Sequence, residues 1–155
     1  MDRAAVKRLV LRSIGGGLGI GLMGLLADLA QEPLVLVPFA TSIVLVMATP
    51  ESPQAQPRNI LGGHLISAGL GVACVLVLGS NFWVSSLAVT LSIGVMLALD
   101  ALHPPAGINP VIIVTQHTTA SFIYFPVGVG ALLLLLYAFS YHGLTGDARW
   151  PKKWF

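Results

Sequence analysis

Long apolar stretches alternate with short polar breaks along the chain, and this pattern predicts six helical segments. A membrane-spanning helix needs about 20 consecutive apolar residues. Four stretches have about that length, and two others, which proline interrupts or borders, are shorter. The long stretches are 13–30, 61–78, 82–102 and 121–141, and the short ones are 33–49 and 105–116. We therefore expect an all-α fold, a polytopic transmembrane helical bundle of about six segments, two of them short or broken at proline.

Composition supports a membrane protein rather than a soluble one. Hydrophobic residues make up 55% of the 155 residues, charged residues make up 9%, and the mean hydropathy is +0.86. A soluble domain carries about 25% charged residues. Between Asn59 and Gly146, Asp100 is the only aspartate, glutamate, lysine or arginine, which excludes a soluble domain from that region.

The positions of the basic residues predict the topology. They lie in an amino-terminal arm (1–12), at Arg58 in a polar hinge, and in a carboxyl-terminal tail (143–155). Because positive charge accumulates on the cytoplasmic side, we expect all three on the cytoplasmic face of a bacterial inner or plasma membrane. Six crossings satisfy this expectation, whereas five would put the tail outside and four would put Arg58 outside. The expected organisation is one transmembrane domain (13–142) between a basic cytoplasmic arm and a cytoplasmic tail.

The two halves of the chain share one spacing of aspartate and proline. Each occurrence lies where a long segment gives way to a short one. With three crossings in each half (13–80 and 82–142), the halves would have opposite orientation, which is the inverted 3+3 repeat of many transporters. Coincidence in a proline-rich chain is the alternative. The matching residues are Asp28, Pro33 and Pro38 in the first half and Asp100, Pro105 and Pro110 in the second, 72 residues later.

The break at 100–110 is the strongest candidate for a functional site. Two consecutive prolines stop a helix, and in a bilayer a broken backbone survives only where it is buried in protein or lines a wet cavity. Pro105 can begin a new helix. The amides of the residues that follow, Ala106 and Gly107 among them, would then favour a small anion such as nitrite, nitrate or formate. A kink that only improves packing is the alternative.

Polar residues near this break have the chemistry of an anion or proton site. His103 can donate, accept or take a proton, and Asp100 one turn earlier could form either a proton relay or a structural pair with it. Arg58 suits oxyanions, although it could equally bind a phospholipid or serve as a positive-inside anchor. The full set of candidate substrate-binding residues is Asp28, Pro38, Thr41, Ser42, Arg58, His64, Asp100, His103, Pro104, Pro105, Ala106, Gly107 and Asn109.

Catalytic and metal-binding motifs are missing from the sequence. The four histidines lack the close spacings of metal ligands, and there is no nucleophile elbow, phosphate loop or dinucleotide fingerprint. The single cysteine, Cys74, can form neither an intrachain disulfide nor a cysteine metal cluster. We therefore expect a non-enzymatic protein without cofactor or metal, and the absence of aromatic residues from the basic arm favours a lipid bilayer over nucleic acid as its partner.

The motif His103-Pro104-Pro105-Ala106-Gly107 resembles the signature of the HPP family of integral membrane proteins. Two further motifs, Gln56-Pro57-Arg58 and Gly62-Gly63-His64, resemble that family's second block, so the resemblance covers roughly residues 10–142. It implies about four membrane helices, fewer than the six segments expected from the pattern. It also implies nitrite transport, with which cyanobacterial and plastid members are associated.

The sequence thus predicts a transporter or channel for a small inorganic anion, nitrite first. Six short elements make a thin bundle, so we expect a symmetric homo-oligomer. The alternative is a non-transporting membrane scaffold, sensor or assembly subunit. The interior separates the two hypotheses, because a transporter needs a polar, ligand-sized cavity at 105–109, whereas a scaffold would be packed there by leucine and valine.

Overall fold

The computed structural model describes residues 2–29, 31 and 36–154, and in this part of the chain it confirms the all-α prediction, since no strand occurs there. Six α-helices occur in these residues. The helices are α1 (Arg3–Leu29), α2 (Leu36–Ala48), α3 (Pro57–Leu78), α4 (Phe82–Ala98), α5 (Asn109–Gln116) and α6 (Val129–Thr145). Two 3-10 turns (Pro53–Ala55 and Pro104–Ile108) precede α3 and α5, and a π-helical turn (Ile123–Gly128) leads into α6.

Within the described residues, three helical stretches are long and apolar enough to cross a membrane by length and composition, namely α1, α3 and the continuous stretch Ile123–Thr145. Helices α2 and α4 are apolar but shorter, with 13 and 17 residues. The prediction of helix up to residue 102 was wrong, because α4 ends at Ala98. Helix α1 includes residues 3–12, which the sequence analysis had set apart as an arm, and α6 continues past residue 142.

Each half of the described chain has the order long, short, long. In the first half α1, α2 and α3 have 27, 13 and 22 residues, and in the second half α4, α5 and α6 have 17, 8 and 17. Pro33, one of the six residues that define the expected repeat, lies outside the described residues. The inverted repeat therefore stays a prediction.

The helices enclose two main apolar cores. One is formed by α1, α2 and α6 and contains Phe39, Ile43 and Leu134. The other lies between α3, α5 and the π-helical turn, where Ile113 is fully buried. Helix α1 comes close to α6 because Gly15 lies against the ring of Tyr141, which leaves no room for a side chain.

The amino end of α1, the hinge and the tail meet at one end of the bundle. The Arg12 guanidinium donates from Nε to Asp147 (2.9 Å), from Nη2 to Glu51 (2.8 Å) and from Nη1 to the Ala48 carbonyl (2.9 Å). The Trp150 indole donates to the Ala55 carbonyl (2.9 Å), which ties the tail to the hinge. We call this the basic end of the bundle, and it brings together the three segments that six crossings require on one side.

Glu51 at the basic end is held as a carboxylate by Arg12. Burial by itself would raise the pKa of Glu51, but the hydrogen bond and the charge of Arg12 outweigh it and hold that pKa below its ordinary value. A carboxylate whose folded-state pKa is lowered stabilises the protein at pH above its ordinary pKa, and this contribution is lost as the pH falls through the folded-state pKa. Because the Glu51 side chain is 49% exposed, the contribution is small.

Replacing Arg12 by glutamine should destabilise the protein, because Asp147, whose side chain is only 1% exposed, would lose its counter-charge. We expect a loss on the order of 2 kcal/mol, less than the roughly 3–5 kcal/mol for a fully buried pair. Thermal melting in detergent micelles, with gel filtration to monitor the folded protein, measures this loss of stability. Arg8→Gln, one turn earlier on the exposed face of α1, is the matched control and should leave the melting temperature unchanged. If Arg12→Gln with Asp147→Asn melts no higher than Arg12→Gln alone, the interpretation of Asp147 as an unpaired charge is wrong.

Candidate functional site

Helix α4 ends in a Schellman motif centred on Asp100. Asp100 has a left-handed backbone (φ 51), and its amide donates to the Leu97 carbonyl (3.2 Å) while the Ala101 amide donates to the Met96 carbonyl (2.8 Å). These two bonds close the helix and turn the chain. The Asp100 side chain is exposed, and the hydrogen bonds of His103 go elsewhere. The structure therefore shows no Asp100–His103 pair, and Asp100 acts as a helix terminator.

The segment after Asp100 enters the bundle against the first turns of α3. Two glycines of α3 make room for it, since a β-carbon on Gly62 would lie 3.2 Å from that of Ala101, and one on Gly63 would lie 2.5 Å from that of His103. His103 itself is extended (φ −133, ψ 95), as expected of a residue before proline. The Gly62-Gly63 pair thus serves close packing of the break.

Polar side chains of α3 satisfy carbonyl groups that the break leaves without helical partners. Arg58 Nη2 donates to the Leu99 carbonyl (2.8 Å), and Asn59 Nδ2 donates to the Leu102 carbonyl (3.0 Å). The Leu99 carbonyl is exposed, whereas that of Leu102 is partly buried, where a missing partner would be costly. These two residues therefore stabilise the break.

Two buried imidazoles converge on one serine hydroxyl in the centre of the site. Ser42 Oγ of α2 lies 3.0 Å from Nε2 of His64 on α3 and 2.8 Å from Nε2 of His103. The ring centroids of the two histidines are 5.0 Å apart, and the Phe39 ring lies 4.7 Å from that of His64. Ser42, His64 and His103 are each 0% exposed.

Each imidazole has a second partner on its far nitrogen. His103 Nδ1 lies 2.7 Å from the backbone carbonyl of Gln54 in the hinge. His64 Nδ1 lies 3.1 Å from the amide nitrogen of Asn109, which also donates to Ser67 Oγ (2.9 Å). We call the chain Gln54–His103–Ser42–His64–Asn109 the histidine network. None of its hydrogen-bond partners among the described residues is charged, so a proton or a small anion that entered would be the charged species there.

A polar cavity of about 420 Å³ opens at the basic end beside the network. Three cationic side chains line it, Arg58, Lys152 and Lys153, together with two carboxylates, Glu51 and Asp100. Asn59 also lines it, and it bonds to the carbonyl of the residue before His103. We call this cavity the vestibule; its lining carries one more cationic than anionic side chain, and Asn59 joins it to the segment that holds His103.

The space beside the prolines is apolar. A groove of about 660 Å³ runs along Pro104, Pro105 and Ile108, and its opposite wall is mainly valine, leucine and alanine of α2. Thr41, which is exposed, lines this groove. The polar groups near residues 105–109 therefore face the histidine network and not the groove.

The amides after the prolines are partly used within the protein. The Ala106 amide donates to the His103 carbonyl (3.0 Å), and Ala106 is buried. Gly107 has no atom within 4 Å of the place where a β-carbon would stand. The 3-10 turn Pro104–Ile108 has five residues, so it is too short to carry a helix dipole of its own.

Of the thirteen predicted site residues, four lie together in the histidine network: Ser42, His64, His103 and Asn109. Pro38 is adjacent, since its carbonyl accepts hydrogen bonds from Thr41 (3.0 Å) and Ser42 (2.8 Å). Arg58 and Asp100 line the vestibule, and Pro104, Pro105, Ala106 and Gly107 form the turn. Asp28 is exposed, its carbonyl accepts from Gln31, and the structure does not bring it to the site.

Three residues that contact the histidine network or the break were not predicted from the sequence: Gln54, Asn59 and Ser67. Ser67 had a signal, because a serine three residues after His64 in an apolar helix lies on the same face. Asn59 had a weaker sequence signal, because it is an amide residue just inside the start of α3. Gln54 had none, since its backbone carbonyl makes the contact. No cluster of three potential metal ligands occurs within residues 2–29, 31 and 36–154.

The family comparison matches the HPP transmembrane region over residues 1–151. The chain is a member of the HPP family. Two transmembrane proteins of Dictyostelium discoideum are similar to it. One is 36% identical over 133 residues, which are 81% of this chain and 47% of that protein. The other is 33% identical over 153 residues, which are 93% of this chain and 49% of that protein. The chain spans about half the length of these relatives. No solved structure matches it.

The family and the apolar helices together establish that this HPP protein is an integral membrane protein. The predicted membership in the HPP family and the helical membrane bundle are thereby confirmed. The relatives are described only as transmembrane proteins, so they add no substrate.

Replacing Gly63 by alanine should damage the site, because the new methyl group would lie 2.5 Å from the His103 β-carbon and 3.2 Å from the Ala101 carbonyl oxygen. We expect a loss of about 1–3 kcal/mol from overpacking, measured as a lower melting temperature in detergent. Gly69→Ala is the control on the same helix, where nothing lies within 4 Å; it should be neutral or stabilising by up to about 1 kcal/mol. Equal effects of both changes would contradict the close approach of the break to α3.

Replacing Asp100 by glycine should stabilise the protein. Glycine adopts the left-handed conformation without strain, and the change removes a negative charge from the carboxyl end of a helix, where it is unfavourable. We expect a gain of roughly 0.5–1 kcal/mol in the same melting assay. Asp28→Gly in the last turn of α1 also removes a negative charge from a helix carboxyl end, but there glycine only lowers the helix propensity, so this control should give a smaller gain or none. A destabilised Asp100→Gly protein would mean that the Asp100 side chain makes a contact that the structure does not contain.

Proposed function

We propose that this HPP protein moves a small inorganic anion, nitrite first, across the membrane, and that the histidine network is the point at which the anion is recognised. The observation that carries the proposal is the convergence of two fully buried imidazoles on Ser42 at the break between α4 and α5. Buried polar groups in a membrane interior are costly, and their usual explanation is function.

The charge at the entrance supports an anion over a cation. Arg58, Lys152 and Lys153 outnumber the two carboxylates in the vestibule, and one of these, Glu51, is already paired with Arg12. An excess of one sign of charge in a cavity raises the local concentration of the opposite ion. A monoanion that passed Arg58 would next meet neutral hydrogen-bond donors with no carboxylate among them.

The chemistry of the network fits an oxyanion with one charge. Ser42, His64 and Asn109 carry hydroxyl, imidazole and amide groups, all of which can donate to oxygen. Nitrite is the substrate that resemblance to cyanobacterial and plastid HPP members implies, and it is small enough to be held by a few such donors. We further propose that the basic end faces the cytoplasm of a bacterium, in agreement with the positive-inside rule, and that the protein acts as a homo-oligomer.

A second candidate function is that of a non-transporting scaffold, sensor or assembly subunit. One observation favours it: the groove beside Pro104 and Pro105 is lined mainly by apolar side chains, and the sequence analysis had associated an apolar surrounding of this break with a scaffold. In that case the histidine network would serve only to hold the break in place.

Nitrite flux into proteoliposomes distinguishes the two functions. The wild-type protein should raise nitrite uptake above that of empty liposomes. His103→Ala should reduce the uptake about tenfold or more, because it removes one of the two imidazoles that form the proposed recognition point, and a loss of about 1.4 kcal/mol is tenfold. His117→Ala, which removes an exposed histidine outside the network, is the control and should retain the wild-type rate.

Two outcomes would count against nitrite transport. If the folded wild-type protein, checked by gel filtration, gives no uptake above empty liposomes, the scaffold function is favoured. If uptake occurs but His103→Ala transports at the wild-type rate while remaining folded, the anion does not pass the histidine network. Parallel measurements with nitrate and formate test whether the substrate is a different small anion.

A further inference from the structure

The directions of the hydrogen bonds in the histidine network follow from its two ends. At one end the Gln54 carbonyl oxygen can only accept, so His103 Nδ1, 2.7 Å away, carries a hydrogen and donates. In the uncharged imidazole the other nitrogen, Nε2, is then an acceptor. Whenever His103 is neutral, its Nε2 therefore presents a lone pair that can accept a hydrogen bond from Ser42.

The other end fixes His64 in the opposite form. The amide nitrogen of Asn109 lies 3.3 Å from the His64 backbone carbonyl, which can only accept, and 2.9 Å from Ser67 Oγ, whose own hydrogen goes to that same carbonyl. These partners orient the Asn109 side chain with its NH₂ group towards His64. One of its two hydrogens goes to Ser67 Oγ, and the other is shared between the His64 carbonyl and Nδ1, so Nδ1 accepts. His64 accordingly carries its hydrogen on Nε2 and donates it to Ser42 Oγ.

Ser42 stands between one donor and two acceptors. Its oxygen accepts from His64 Nε2, and its hydroxyl hydrogen has two acceptors at the same distance, 2.8 Å: Nε2 of His103 and the Pro38 carbonyl oxygen. The Pro38 carbonyl also accepts from Thr41, so it keeps a partner when the Ser42 hydroxyl points to His103. With both imidazoles neutral, the hydroxyl points to His103 and every nitrogen of the pair is paired.

We propose that His103 Nε2 is a binding site for one proton, and that the Ser42 hydroxyl accommodates the proton by turning from His103 to the Pro38 carbonyl. The lone pair of Nε2 takes the proton, and the imidazolium then donates from Nε2 to Ser42 Oγ and from Nδ1 to Gln54. Ser42 now accepts two hydrogen bonds and donates one, which is the full capacity of a hydroxyl. No hydrogen bond of the pair is lost in this change.

The same change at His64 would cost hydrogen bonds. A proton on His64 Nδ1 would face the NH₂ group of Asn109, and two donors cannot pair. Turning the Asn109 amide would present Oδ1, which is buried without a partner, but it would remove the bonds to Ser67 and to the His64 carbonyl. The network thus has one site for a proton, and it is His103.

The groups around His103 leave the bound proton without a counter-charge. The hydrogen-bond partners of His103 are Ser42 of α2 and the hinge carbonyl of Gln54, and the ring of neutral His64 lies beside it. All of these groups are uncharged, and the charged side chains Arg58 and Asp100 line the vestibule, which no residue of the network lines. Since a buried charge is unfavourable unless it is paired, an anion in the network would favour the proton. This last step rests on the proposed function, whereas the proton site itself does not.

Nitrogen NMR of histidine-labelled protein in lipid nanodiscs tests the proton site without any flux. Single histidine variants assign the signals. At high pH the two buried rings should show opposite tautomers, with hydrogen on Nδ1 of His103 and on Nε2 of His64. As the pH falls, His103 should become the imidazolium before His64, which keeps one hydrogen.

Ser42→Ala removes the group that accepts a hydrogen bond from the protonated His103 ring. The affinity of His103 for the proton should therefore fall roughly tenfold or more in this variant, which lowers the midpoint of its titration by about one pH unit. Thr41→Val is the matched control, because Thr41 donates to the same Pro38 carbonyl without touching either imidazole, and it should leave the titration unchanged. In the wild-type protein, the proposal is overturned if the two rings share one tautomer, if His64 takes the proton first, or if His103 stays neutral wherever the protein is folded. Among the variants, it is overturned if Thr41→Val shifts the titration as much as Ser42→Ala. Should Ser42→Ala fail to fold, the wild-type tautomers and titration order still decide.

Adding nitrite to the NMR sample separates this proposal from the transport function. If nitrite shifts the His103 titration to higher pH, both are supported. If His103 takes the proton as described but nitrite has no effect, the proton site stands and recognition of nitrite in the network is excluded.

Discussion

The structure depends on one constraint: the backbone that is broken at residues 99–108 must find all of its hydrogen bonds inside an apolar bundle. Water is scarce in a membrane interior, so each carbonyl or amide freed by the end of α4 needs a protein partner. Arg58 and Asn59 supply partners from α3, and the Schellman motif and the 3-10 turn supply further ones from within the segment. The first turns of α3 are therefore as much a part of the break as the prolines themselves.

Close packing follows from that constraint and places the histidines together. The carbonyls of Leu99 and Leu102 can be reached from α3 only if the two backbones lie near each other, which Gly62 and Gly63 allow. Once the segment lies there, His103 points to α2 and meets Ser42, and His64, one residue after Gly63, meets the same hydroxyl. The histidine pair is thus a consequence of how the break is held, and its burial makes its hydrogen-bond directions well defined.

Much of the fold could be predicted from the sequence, and the errors lie where local and tertiary effects compete. The apolar stretches placed all six helices, because burial in lipid selects long apolar runs. The end of α4 was predicted four residues too late, since Ala101 and Leu102 are apolar and the prolines come after them. Asp100 was interpreted as a partner of His103 on the basis of helical spacing, but its left-handed backbone ends the helix and removes that spacing.

The sequence by itself determined that this is a helical membrane protein with a break at His103-Pro104-Pro105 and basic segments at three places, because hydropathy, proline stereochemistry and charge act locally or through composition. It also identified Ser42, His64, His103 and Asn109 as candidates by residue type. Only the tertiary structure decided that these four meet, that the three basic segments share one end, and that Gln54 contributes a carbonyl. Ser42 and His103 are 61 residues apart, and such contacts depend on which helix faces lie together in space, which no local pattern encodes.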